Sequence, residues 1–362
     1  MPPTSCQDAT MSRIVTSREF AARLQLALPL VQAPLAGFQG GALAAAAAAA
    51  GALGSLPGAA LSPQALREEV TRLRAAGDRA LNVNFFAHHV PEPDAAREAA
   101  WREALAPYYA EFGIDPAAVP DGPGRLPFGE EALAAVETLR PAIVSFHFGL
   151  PAPELVERVR ATGAQVWSTA TTVPEARWLE ARGVDAVIAQ GLEAGGHRGQ
   201  FLGDDPSRQL GTMALLPQVA AAVEVPVIAA GGIADAAGVA AALRLGAAAV
   251  QLGTVLLLCP EATTSAPHRA ALQSEAAQHT ALTNLFSGRP ARGIVNRLMR
   301  ELGPMSALPS PFPRAANAIA PLRAAAEKAG SGDFSPLWAG QNVTGCRPVP
   351  AKQLLEELAA AL

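Results

Sequence analysis

Val227-Ile228-Ala229-Ala230-Gly231-Gly232-Ile233-Ala234-Asp235 reads as a strand, a glycine pair and a helix cap in direct succession. The run Val227–Ala230 is apolar on both faces, as a strand covered by helices must be. Asp235 is a capping residue, and the interval it opens runs to Leu245 with Gly246 as its stop. The next run, Val250-Gln251-Leu252-Gly253-Thr254, repeats the strand and again ends in glycine and a hydroxyl.

Outward from this unit the same alternation covers most of the chain. Apolar runs recur at Leu30–Ala33, Ala52–Ser55, Ala80–Asn84, Ala142–Phe146, Gln165–Thr169, Asp185–Ala189, Pro226–Ala230 and Ala248–Leu252. Several end in Gly, Pro, Ser or Asn, which suit a turn, and the intervals carry helix signals such as Thr172-Val173-Pro174-Glu175. Eight strand–helix units predict an α/β TIM (β/α)8 barrel, with an open doubly wound sheet as the alternative. Phe85–Pro141 and Cys259–Val349 are too long for simple crossovers and read as an insertion and a helical lid over the barrel mouth. The expected division is an N-terminal extension over 1–19, a barrel over 20–256 with an insertion at about 85–141, a lid over 257–349, and a C-terminal helix over 350–362.

Composition narrows the function. The chain has 362 residues, is 50% hydrophobic and carries a net charge of −4 without a basic cluster, so nucleic acid is not its main partner. Cys6, Cys259 and Cys346 lie far apart, which gives neither a disulfide framework nor a paired-cysteine metal site; a reducing cytoplasm fits. Gly41–Ala60 is small and apolar but broken by Gly51, Gly54, Pro57 and Gly58, and its Ala44–Ala50 run reads as a close-packed helix rather than a membrane span. Met1–Ser12 lacks the basic-then-apolar order of a secretory signal, and Met11 is an alternative start.

Chemistry in a barrel belongs to the loops after the strands. Behind Asp185–Gln190 comes Gly191-Leu192-Glu193-Ala194-Gly195-Gly196-His197-Arg198-Gly199, whose glycines cost backbone entropy unless a ligand approaches the main chain. A glycine-rich turn with a solvated histidine is the structural alternative. Gly231-Gly232 before the capped helix, beside Gly253-Thr254, is placed as a phosphate site, the alternative being close helix packing. His147, in Ser145-Phe146-His147-Phe148-Gly149, and His197 both follow strands and can take a proton near neutral pH. His88, His89, His268 and His279 read as structural or solvated. Asn82 and Gln190 are amides at the ends of apolar strands and need a ligand or backbone partner, as a planar heterocycle would provide. There is no Ser-His-Asp order, no metal-spaced cluster and no Walker loop.

Together, Gln32-Ala33-Pro34-Leu35-Ala36-Gly37, Asn82-Val83-Asn84-Phe85-Phe86, Ser145–Gly149, the Glu193–Gly199 loop, Ala230-Gly231-Gly232-Ile233, Gln251-Leu252-Gly253-Thr254 and Leu337-Trp338-Ala339-Gly340-Gln341 resemble the nitronate monooxygenases, formerly called 2-nitropropane dioxygenases. The resemblance runs from about Phe20 to Gln341. The glycine motifs also occur in flavin-dependent enoyl-acyl-carrier-protein reductases; Phe146–Gly149 and Leu337–Gln341 favour the nitronate branch. The resemblance implies non-covalent FMN touched by Ala33, Pro34, Asn82, Gln190, Gly195, Gly196, Gly231, Gly232, Gln251, Gly253 and Thr254. It implies His197 as catalytic base; His147 is assigned as a donor to the nitro or nitronate oxygens. The expected reaction converts alkyl nitronates or nitroalkanes, with O2, to carbonyl compounds and nitrite. Alternatives are an NAD(P)H-dependent enoyl or quinone reductase and a non-catalytic flavin-binding protein. Phe38-Gln39-Gly40-Gly41-Ala42 departs from the family's usual Ser-Thr-Pro-like start after the first strand. The pocket is expected to be small and apolar under the two insertions, with Tyr108-Tyr109 as the phenol pair of the first; a homodimer is left open.

Overall fold

A computed structural model describes residues 15–362 except 76, 78, 120 and 123. Its strands are β1 Leu30–Gln32, β2 Gly54–Leu56, β3 Leu81–Phe86, β4 Ile143–His147, β5 Gln165–Ala170, β6 Ala186–Gln190, β7 Gly196–His197, β8 Val227–Ala230, β9 Ala249–Leu252, β10 Thr280–Thr283 and β11 Ala291–Ile294. Each of the eight apolar runs has become a strand, shifted by one or two residues at its ends. They form one parallel sheet in the order β1-β9-β8-β6-β5-β4-β3-β2. The seam closes where Val31 pairs with Leu53 in parallel, with Gln32 N donating to Leu53 O and Leu53 N to Leu30 O, both at 2.9 Å. The sheet is therefore a barrel.

Period two along each strand sends alternate side chains inward. Val31, Leu53, Ile143, Trp167, Ile188 and Ile228 fill the barrel, and Phe20 of helix Ser17–Arg23 and Leu24 just after it pack on them, Phe20 with its ring 5.7 Å from Trp167. Thr16 and Glu19 form a capping box at the start of that helix. Met1–Ser12, with Cys6 and the alternative start Met11, lies outside the described residues, and the plug helix begins within the stretch expected to be extension.

Outward side chains meet the helical jacket. The alanine run forms helix Gly41–Ala49, and its small side chains let β2 approach closely: a Cβ on Gly54 would stand 2.5 Å from Ala44 O. Among the described residues no helix is long and apolar enough to cross a membrane. The last helix, Ala351–Leu358, packs against Gly41–Ala49 and Ala236–Arg244 and contributes Leu354, Leu355 and Leu358 to the main core. It is the eighth helix of the barrel, reached only after the lid.

The two insertions fold into one body. Helix Ala95–Glu111 packs on helix Ala315–Lys328 around Trp101, Leu105, Tyr109, Ile319, Leu322 and Phe334. Trp101 Nε1 donates to Ala315 O at 3.2 Å, Tyr109 Oη to Ala318 O at 2.6 Å, and Tyr108 Oη to Glu301 Oε2 at 2.8 Å. Both phenols are thus spent on holding the lid together and neither lines the cavity below it. The lid is tied to the barrel by an antiparallel sheet, β10-β11-β7, in which Ala291 lies opposite His197.

Candidate active site

The uppermost inward positions of the barrel strands are polar. Asn84, His147, Thr169, Gln190 and Gln251 form the floor of a cavity of about 1030 Å³ roofed by the lid. Around it stand nearly all the residues expected from sequence: Ala33, Pro34, Gln190, Gly195, Gly196, Gly231, Gly232, Gln251, Gly253 and Thr254, with His147 and His197.

Asn82 is the exception. It is fully buried beneath the cavity, where its Nδ2 donates to Ser55 Oγ at 3.0 Å. β3 runs two residues further than its hydrophobic pattern suggested, so Asn84, on the same face, takes the place at the mouth.

His197 is set by its loop. Its carbonyl accepts from Gln190 Nε2 at 3.0 Å and His147 Nε2 at 3.1 Å, while Gln190 Oε1 accepts from Gly199 N at 2.8 Å. Two donors on one carbonyl and the Gly199 hydrogen bond beyond it fix the backbone that follows the imidazole. The ring lies among Phe148, Phe312 and Trp338, with centroids 5.9, 5.3 and 5.6 Å away, and Nε2 is 2.8 Å from Ser287 Oγ. Burial, then the charges of His147, Arg125, Arg289 and His88, hold its pKa well below the ordinary imidazole range. His197 is a neutral imidazole at physiological pH.

His147 does something other than expected. Nε2 donates to the His197 carbonyl and Nδ1 lies 3.0 Å from Thr169 Oγ1, which leaves neither nitrogen for a nitro oxygen. Burial pushes its pKa down to about 3. Its place is that of a strut under the glycine loop.

The glycines answer to close approach. Gly195 meets the late motif: a Cβ there would stand 2.6 Å from Ala339 C and Gly340 N. That motif is stitched down by Gly340 N to Thr254 Oγ1 (2.9 Å), Gln341 N to Glu193 O (2.9 Å) and Asn342 Nδ2 to Gly232 O (3.0 Å). Gly231 and Gly232 both have positive φ, 121° and 71°, which L side chains resist. The bare backbone of Gly231, Gly232 and Gly253 with the Thr254 hydroxyl edges one end of the cavity, as a phosphate would require. Gln39, where the sequence departs from the family, is buried in a network: its Oε1 accepts from Gln32 Nε2 and Leu35 N, both at 2.7 Å, and its Nε2 donates to Ser55 O at 2.7 Å. These bonds hold the Ala33–Gly37 wall of the cavity in place of the usual helix start.

Sequence reasoning missed Asn84, Thr169, Ser287, Phe312 and Arg125. Ser287 had a readable signal in Ser287-Gly288-Arg289-Pro290, a turn with Gly288 at φ 87°. Phe312 and Arg125 come from Pro-rich loops whose register no local pattern sets.

The nitronate monooxygenase family model matches residues 18–361. A nitronate monooxygenase of Pseudomonas aeruginosa is 42% identical over 95% of this chain and 98% of its own. The crystal structure of nitroalkane oxidase from Streptomyces ansochromogenes superposes with a TM-score of 0.86 at 41% identity, covering 94% of this chain and 97% of that one. FabK from Thermotoga maritima is further away, with a TM-score of 0.68 and 25% identity over 93% of each chain. With a closed barrel and matches that span the chain, the protein belongs to the nitronate monooxygenase family of flavin-dependent oxidoreductases.

Proposed function

We propose that the protein holds FMN and oxidises alkyl nitronates with O2 to carbonyl compounds and nitrite. The cavity residues fit the cofactor. Gln251 Oε1 is buried without a hydrogen-bond partner, which costs about 1–3 kcal/mol unless a ring N–H meets it. Gly231, Gly232, Gly253 and Thr254 would hold the phosphate, and Ala33, Pro34, Gln190, Gly195 and Gly196 would flank the ring. Bound FMN supplies the electron chemistry that links the substrate to O2.

The observation that carries the reading is His197, a neutral base in an aromatic cage whose charged neighbours are the cations Arg125 and Arg289. Such a site favours an anion over a neutral ligand. Ser287 engages Nε2, while Nδ1 has no hydrogen bond among the described residues, so Nδ1 is the nitrogen that accepts the α-proton of a neutral nitroalkane. The His147 and Gln190 donors keep that ring from swinging away. Phe312 and Trp338 exclude water around it.

Anaerobic mixing of the FMN-loaded protein with a short nitronate or with NADH tests the reading. Bleaching of the flavin by the nitronate, with O2 uptake and nitrite formation in air and no need for NADH, is expected. Bleaching by NADH alone moves the assignment to the reductase activity, and a yellow protein that reacts with neither makes it a flavin-binding protein without turnover.

A further inference from the structure

The cavity is larger than the chamber under the lid. Past the top of β3 it continues outward between helix Pro63–Ala75 and helix Glu130–Leu139, along Leu61, Leu66, Phe85, Phe128, Ala132 and Ala135. Leu66, Phe85, Phe128 and Ala135 are buried members of the main core, yet they face this hollow. Ala132 and Ala135 leave it open by their small size. Its lining is hydrocarbon, with Glu130 and Glu131 exposed at the outer end.

Phe86 stands between this arm and His197, its ring centroid 6.2 Å from the imidazole. Arg125 lies over the Phe86 ring, 5.4 Å from its centroid, and beyond it Leu61, Leu66, Phe85, Phe128, Ala132 and Ala135 offer an anionic nitronate no side-chain donor. A small apolar molecule does find a suitable place there, since hydrocarbon-lined cavities stay dry and take up xenon or benzene. On the lid side, Phe312, Trp338 and Phe286 close over the chamber that holds His197, so a bound nitronate obstructs entry there.

The geometry points to this arm as the route by which O2 reaches the cofactor, separate from the way the nitronate enters. The inference rests on the FMN-dependent reading above. It makes Ala132 and Ala135 the residues that set the width of an oxygen channel. With the arm open, O2 encounters the cofactor whether or not the lid is closed on substrate.

The test uses the FMN-loaded protein, reduced photochemically so that no nitronate is needed, and follows its reoxidation by stopped flow. Reduced FMN passes two electrons and two protons to O2, giving FMN and H2O2. In Ala132→Phe and Ala135→Leu the second-order rate with O2 should fall about tenfold. FMN content and the anaerobic rate of bleaching by nitronate should stay at wild-type values. Xenon-pressurised crystals of the wild type should carry xenon in the arm and lose it in the variants. An unchanged O2 rate in an FMN-replete variant overturns the inference, as does an arm without xenon. Variants that alter nitronate affinity according to chain length, leaving the O2 rate alone, would make the arm a subsite for the substrate's tail and also overturn it. Ala132 is only half-buried, so its variant decides the matter if Ala135→Leu does not fold. Because reoxidation needs no nitronate, a wild type that fails to bleach with nitronate counts against the proposed activity and leaves the oxygen route decided by its own rate.

Discussion

Lowering the pH should unfold this protein through its histidines before its carboxylates. His88 and His268 are buried, and His147 and His197 are enclosed at the cavity. Burial is the main cause in all four: it pushes His88 and His268 down to about 4, His147 to about 3, and His197 well below the ordinary value. The unfolded chain exposes each imidazole to water, where it titrates at ~6.5. A depressed folded pKa means that the stability is complete above pH 6.5 and is lost as pH falls from 6.5 toward 4. At pH 5.5 about nine-tenths of each unfolded imidazole is protonated, so unfolding takes up ~3.6 protons across the four. Integrated from pH 7 to 5.5 this amounts to ~5 kcal/mol, as much as the whole stability of many domains. Glu111 and Glu357, whose pKa values are lowered by hydrogen bonds from Arg297 and Arg347, and Glu301, lowered by Tyr108 and then Arg297, act in the same direction but only nearer pH 4.5. Urea melts of the apoprotein at pH 7 and 5.5 give the energy, and calorimetric unfolding in two buffers of different ionisation enthalpy counts the protons. His268→Leu, whose ring packs on Phe38 at 5.1 Å away from the cavity, should lower the count by ~0.9. An uptake near one proton, or stability indifferent to pH over this range, would refute the picture of four neutral histidines.

Replacing His197 with Asn should depress turnover of neutral nitroalkanes ~10²-fold more than that of preformed nitronates, since only the former need a base; equal losses in steady-state assays would make it a binding residue. Gly195→Ala forces a methyl into Ala339 and Gly340, so FMN titrated into the apoprotein by fluorescence should bind more weakly while the barrel's circular dichroism is kept. His147→Phe removes one of two donors on the His197 carbonyl; nitroalkane deprotonation should slow while nitronate affinity is retained, and a loss confined to nitronate KM would restore the substrate-donor role. Trp101→Ala should loosen the lid by about 3–5 kcal/mol, read as faster limited proteolysis at the lid with FMN still bound.

How much of this was legible beforehand follows from range. The strands were readable because each is a short, largely apolar run and several are closed by a turn residue, a signal carried by neighbours in sequence. Asn82 and Asn84 share one face of one strand, so pattern could not decide which reaches the mouth; the strand's true end does. The role of His147 depends on Thr169 and on a carbonyl fifty residues downstream, and no local spacing encodes either bond. The lid was seen as two insertions, yet its core joins Trp101 to Ala315, a separation of 214 residues. The eighth helix was legible as a helix but not as part of the barrel, because the whole lid intervenes.

That late helix bears on how the chain is made. A ribosome has delivered β1 and its alanine helix long before β9 exists to complete the barrel, and Ala351–Leu358 emerges only after the whole lid. Until then the apolar flank of Gly41–Ala49 has no cover from it, and the lid has been synthesised ahead of the final barrel layer. The nascent chain therefore waits with exposed apolar surface, the state in which chaperones bind and aggregation competes. Expression should respond sharply to removal of residues 351–362.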